Sequence, residues 1–139
     1  MIERHETNSR LSRVVVHNGM AFIAGTRPDT ATASVEEQTR EVLQKMDGYL
    51  AMANSDIGRL LSATIWLKDL KDLPAVNSVW DAWVPEGRAP ARSCVQSVPA
   101  RSEFALVISL WRQVPRKDLV GVIFMAVDGV EAERLRLQP

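Results

Sequence analysis

The chain is poor in the residues from which most recognisable sites are built. Its 139 residues include one cysteine, Cys94, and two histidines, His5 and His17. A lone cysteine excludes an internal disulfide, and no Cys/His set stands at metal-ligand spacing, so no metal site is expected. The seven glycines are dispersed along the chain. A phosphate-cradling loop or a dinucleotide fingerprint needs glycines clustered at a strand-to-helix turn, so no nucleotide cofactor is expected, and nothing else in the sequence calls for a cofactor. The Gly-x-Ser-x-Gly and His-Glu-x-x-His signatures of common hydrolases are also missing. Charge of one sign is lacking too: 17 Lys and Arg balance 17 Asp and Glu, for a formal net charge of zero. There is no whole-molecule field to gather nucleic acid or an anionic membrane. The longest apolar stretch, Val120 to Val127, falls far short of the roughly 20 residues of a spanning helix, and the polar start from Met1 to Glu6 does not read as a signal peptide. The expectation is a cytoplasmic protein without nucleic-acid or membrane partners.

What is present is apolar. Hydrophobic residues make up 46% of the chain, enough for one domain with a real core and too little length for two. Residues 1 to 10 are polar and aperiodic, and read as loose. Val14-Val15-Val16 and the run from Met20 to Ala24 are strand-like, and Asn18-Gly19 between them tolerates the positive φ of a tight hairpin turn. Ser34-Val35-Glu36-Glu37 has the form of a capping box. From it Val35, Thr39, Val42, Leu43, Met46, Leu50 and Ala53 recur at helical steps as far as Asn54. Leu61, Ala63, Ile65 and Leu67 alternate with polar or exposed positions, the period of a strand with one buried face. Asp72 and Pro74 open a shorter helix with Val76, Val79, Trp80 and Trp83 inward, stopped by Pro85 and Gly87. Two strands follow, one with Arg92, Cys94, Gln96 and Val98 on one face, the other with Phe104, Leu106, Ile108 and Leu110.

This order predicts an α+β fold, one mixed sheet with both helices on one side. The other side, rich in Val, Ile and Trp, then needs cover, and further copies of the chain are the expected cover. Residues 112 to 139 read as an appendage to a single domain over residues 1 to 111. Their apolar run, Asp128-Gly129 and charged end fit a hairpin, or a strand with a short helix.

The segment from Ala89 to Val95 carries the chemistry most open to argument. Arg92 enters a strand just after Pro90, with Cys94 two residues on and therefore on the same face. A guanidinium there can grip a carboxylate through two parallel hydrogen bonds. The same residues are also read as a solvated strand-end arginine beside a buried, packing cysteine.

Four blocks, in order from about Leu11 to Ile108, resemble the Rid family, also called the YjgF or liver perchloric-acid-soluble protein family. They are Val14-Val15-Val16-His17-Asn18-Gly19 leading to Ile23-Ala24-Gly25, Gln38-Thr39-Arg40 with Val42-Leu43, Ser62 to Asp69, and Asn77 with Pro90-Ala91-Arg92-Ser93-Cys94-Val95. The resemblance implies a chorismate-mutase-like subunit that assembles as a homotrimer with clefts between neighbours. It further implies an enamine/imine deaminase in which Arg92 holds the substrate carboxylate while water attacks the imine carbon and ammonia leaves. Cys94 and Asn77 would line that cleft, although Asn77 is equally read as an ordinary exposed helix residue. Cys94 has no neighbouring base, so it is assigned packing and substrate contact rather than covalent catalysis.

The chain departs from the family pattern at the other half of the cleft. A gap-free alignment from Arg92 puts Val107 where deaminases carry the glutamate that positions water, and a valine cannot activate water. Ala24 stands for a serine before Gly25, and Leu11 for a tyrosine. Glu103 shares the face of Val107 by parity but lies four residues away, roughly 13 Å along a strand. The chain also continues beyond the family pattern to Pro139. A trimer that binds a small carboxylate without turning it over is therefore the alternative expectation. Ribonuclease activity, a label some relatives carry, is not expected without a histidine pair, a metal site or a basic surface.

Overall fold

A computed structural model describes residues 1–54 and 57–114. Its elements are β1 (Glu3–Thr7), β2 (Ser12–His17), β3 (Met20–Thr26), α1 (Val35–Met52), β4 (Leu60–Leu67), α2 (Leu73–Trp83), β5 (Ala91–Gln96) and β6 (Leu106–Gln113), with short 3₁₀ turns before β4 and α2. Among the described residues they form one sheet in the order β1-β2-β3-β6-β4-β5. β4 and β5 run parallel, joined by the α2 crossover that parallel neighbours require, and every other pair is antiparallel. This is the mixed α+β sheet that the sequence predicts.

Both helices cover one face. Val42, Leu43, Met46 and Leu50 of α1 and Val76, Val79 and Trp80 of α2 close over Val14, Ala21, Ile23, Ala63, Ile65, Leu67, Leu106, Ile108 and Leu110. The cap of α1 forms as expected, with the Glu37 N–H donating to Ser34 Oγ at 3.2 Å. The hairpin turn also holds: Asn18 and Gly19 sit at φ 50° and 73°, the pair of positive values a type I′ turn demands. α1 and α2 are tied by the Trp83 indole N–H donating to Asp47 Oδ1 at 2.9 Å.

Four local expectations are corrected. Residues 3–7 are not loose: they form β1 on the edge of β2, with His5 opposite Val14. Leu61 does not face the core. A register shift between Leu60 and Ser62 buries Leu60 and leaves Leu61 47% exposed. Phe104 is buried but precedes the last strand, which starts at Leu106. Asp72 precedes α2 without a side-chain capping bond, while Asp69 Oδ1 accepts from the Lys71 N–H in the turn before it. No helix among the described residues is long and apolar enough to cross a membrane.

Candidate functional site

β5 is the edge of the sheet, and its parallel register sets Arg92 beside Ala63 and Cys94 beside Ile65. Register partners share a face, and Ala63 and Ile65 are core residues, so Arg92 and Cys94 lie on the face that the helices cover. At the rim of that face Arg92 remains exposed and leans on α2. Its Nη2 donates to Asn77 Oδ1 at 2.9 Å, and its guanidinium carbon stands 5.4 Å from the centre of the Trp80 ring. Asn77 and Trp80 are three residues apart, the spacing that puts two side chains on one helix face. Among the described residues no carboxylate lies within ion-pair distance of Arg92. The cation is thus mounted on neutral partners, with most of its five N–H donors uncommitted.

Cys94 is half-buried against the core. Burial pushes its thiol above the ordinary range, and the nearby Arg92 charge only partly offsets this. A thiol held neutral at physiological pH is a weak nucleophile, which fits packing and contact.

The second group lies where β3 bulges. Ile23 faces Leu110 and Thr26 faces Ile108, so Ala24 and Gly25 together oppose Ser109, a bulge that re-aims the strand. Val107 stands between the fully buried Leu106 and Ile108, so its side chain emerges on the face without helices. A Cβ added to Gly25 would lie 3.0 Å from Val107 Cγ1, so Gly25 is what lets the two strands approach this closely. Ala24, Gly25 and Val107 bring no polar side chain to this spot. Beside it, Ser62, Thr64, Trp66, Ser109 and Trp111 line a hollow of about 450 Å³. Trp111 is 50% exposed and Val95 47%, so the helix-free face is open and sets exposed apolar side chains beside the hydroxyls of that hollow.

The sequence points to six residues, which the fold sorts into two groups of three. Arg92, Asn77 and Cys94 meet on the helix side, Ala24, Gly25 and Val107 meet on the other, and the sheet stands between them within one chain. Leu11 lies in the β1–β2 loop, exposed. Glu103 does not share a strand face with Val107, because it belongs to the connection before β6. There its carboxylate accepts from Arg101 Nε at 2.8 Å. That connection is fixed by Lys68 Nζ donating to the Ser102 carbonyl and by the Ala105 N–H donating to Gln38 Oε1. Trp80 is the residue that sequence reading missed as part of the site. Its place in the core stripe of α2 concealed it, and its spacing from Asn77 was the available signal.

The endoribonuclease L-PSP family model matches residues 1–108. The chain belongs to this family, the Rid or YjgF family. A RutC family protein, YoaB, of Escherichia coli is 40% identical over 96 residues, covering 69% of this chain and 83% of the relative. The solved structure of a YjgF family member from Neisseria meningitidis, 38% identical, superposes with a TM-score of 0.80 over 83% of this chain and 96% of that one. A more distant Rid relative, named Reactive Intermediate Deaminase A, from the chloroplast of Arabidopsis thaliana, is 33% identical over 91 residues, 61% of this chain and 48% of the relative.

Proposed function

We propose that the chain is a deaminase of small enamines and imines bearing a carboxylate, with its site assembled between copies in a homotrimer. The observation that carries this reading is the mounting of Arg92: a guanidinium at the rim of the sheet, held by Asn77 and Trp80 and facing no carboxylate of its own chain. In the proposed assembly, Arg92 of one copy meets the Gly25–Val107 face of the next. The open sheet side, with Leu61, Val95 and Trp111 exposed, supplies the apolar area for a head-to-tail ring of copies.

In the reaction, Arg92 holds the carboxylate and so fixes the adjacent imine carbon. Water adds to that carbon, one of its protons passes to nitrogen, and collapse of the carbinolamine breaks the C–N bond to leave a 2-oxo acid and ammonia. Cys94 and Asn77 flank the clamp. A second reading, a trimer that binds a small carboxylate without turnover, is favoured by Val107, whose methyl packs against Gly25 where a water-positioning group would be needed.

The test is the decay of 2-iminopropanoate, generated in situ by an amino-acid oxidase, with and without the protein. Accelerated decay supports the deaminase. An unaccelerated decay in the presence of folded trimer, with tight binding of pyruvate, supports the binding protein instead.

A further inference from the structure

We propose that Trp80 is a positioning residue for Arg92, acting on the ligand carboxylate only through that guanidinium. The inference rests on Arg92 being the carboxylate clamp. Arg92 sits on an edge strand whose outer side has no neighbour among the described residues, and an arginine in that place ordinarily samples many rotamers. Here two contacts from one helix turn restrain it: a single hydrogen bond to Asn77 Oδ1 and the face of the Trp80 ring. The hydrogen bond fixes one nitrogen and leaves the plane free to swing about it, whereas a ring face attracts the cation over its whole area and limits that swing. Trp80 is itself 4% exposed, wedged in the core and packed on Trp83 at 5.4 Å between ring centres, so packing holds the platform in place. A carboxylate that arrives meets a guanidinium already ordered, and loses less freedom in binding it. The neutral ring also orders the cation without competing for the ligand, as an aspartate in its place would.

The experiment measures pyruvate affinity by calorimetry for the parent, Arg92→Lys, Trp80→Phe and Trp80→Leu, together with the Arg92 Nε–H resonance of each protein that retains the arginine. The proposal expects binding to fall in the order Trp, Phe, Leu at position 80, with the leucine variant weaker by on the order of tenfold. It also expects the ring-current shift of the Arg92 resonance to persist in Trp80→Phe and vanish in Trp80→Leu. A folded Trp80→Leu protein that binds pyruvate as the parent does, while Arg92→Lys does not, overturns the proposal and leaves the clamp standing. If the parent and Arg92→Lys bind equally, or the parent does not bind, the clamp itself is lost and the proposal with it. Should Trp80→Leu fail to fold, Trp80→Phe decides: weaker binding by about twofold to threefold supports the proposal, and unchanged binding overturns it.

Discussion

The two faces of the sheet are built to opposite standards. On the helix side, Arg92 has a hydrogen-bond partner, an aromatic platform and a half-buried thiol beside it. On the open side, the bulge at Ala24 and Gly25 meets Val107 through hydrocarbon alone. In the proposed site the side that would hold the anion is furnished, and the Gly25–Val107 spot on the side that would handle water carries no polar side chain. A chain selected only to pack would have little reason to keep an exposed guanidinium ordered on a neutral mount. The difference separates recognition of a carboxylate from activation of water, and each can be broken on its own.

The largest effect is expected from Arg92→Ala, which would remove the proposed charge-assisted hydrogen bonds to the ligand. Pyruvate affinity, read by calorimetry, should fall by on the order of 100-fold. Val107→Glu addresses the other side. If the open face lacks only a group to position water, this variant should raise imine hydrolysis by about tenfold or more over the parent, within the range typical of a positioned general base. Gly25→Ala forces a methyl against Val107 Cγ1 and should cost about 1 kcal/mol in denaturant unfolding. Adding Val107→Ala should recover most of that loss, because the two residues share one contact.

Ser34→Ala sharpens the comparison by touching neither face. Loss of the α1 cap should lower stability by about 1 kcal/mol while pyruvate affinity stays unchanged. The smallest effect is one of pH. Glu41 accepts from the Asp29 and Thr30 N–H groups at 2.8 and 3.1 Å, and these bonds hold its carboxyl below the usual range. Its contribution is present above the unfolded-state value of about 4.3 and is lost as pH falls through the lower folded value. Glu41→Gln should therefore lower stability slightly at neutral pH, flatten the acid limb of a stability–pH profile, and leave stability nearly untouched below the folded value.

Much of the fold was legible because local chemistry and global structure agree. Asn18-Gly19 could hardly do anything but turn, Ser34 could cap, and the alternation through Ala63, Ile65 and Leu67 marked a buried face. β1 was missed because Glu3 to Thr7 carry no apolar pattern. The strand exists by pairing with β2, a long-range fact that composition does not encode. Leu61 was misplaced by the register shift at Leu60, since one extra residue reverses every side chain before it.

The candidate site was legible residue by residue and not as an arrangement. Parity within a strand tells which residues share a face, but not which face of the sheet that is relative to another strand. Only the register of β5 on β4 and of β4 on β6 shows that Arg92 and Val107 point to opposite sides. Glu103 was misjudged for the same kind of reason: its parity was counted along a strand that had not yet begun.

The central claim is that the two halves belong to one site shared between copies. Chains carrying Arg92→Ala and chains carrying Val107→Trp, which blocks the open face, should each fail to bind pyruvate alone. Mixed trimers assembled from equal amounts should recover about one quarter of the parent's pyruvate-binding capacity, the fraction of interfaces that unite an intact half from each neighbour in a head-to-tail ring. No recovery, from trimers shown by mass to contain both chains, would contradict the account.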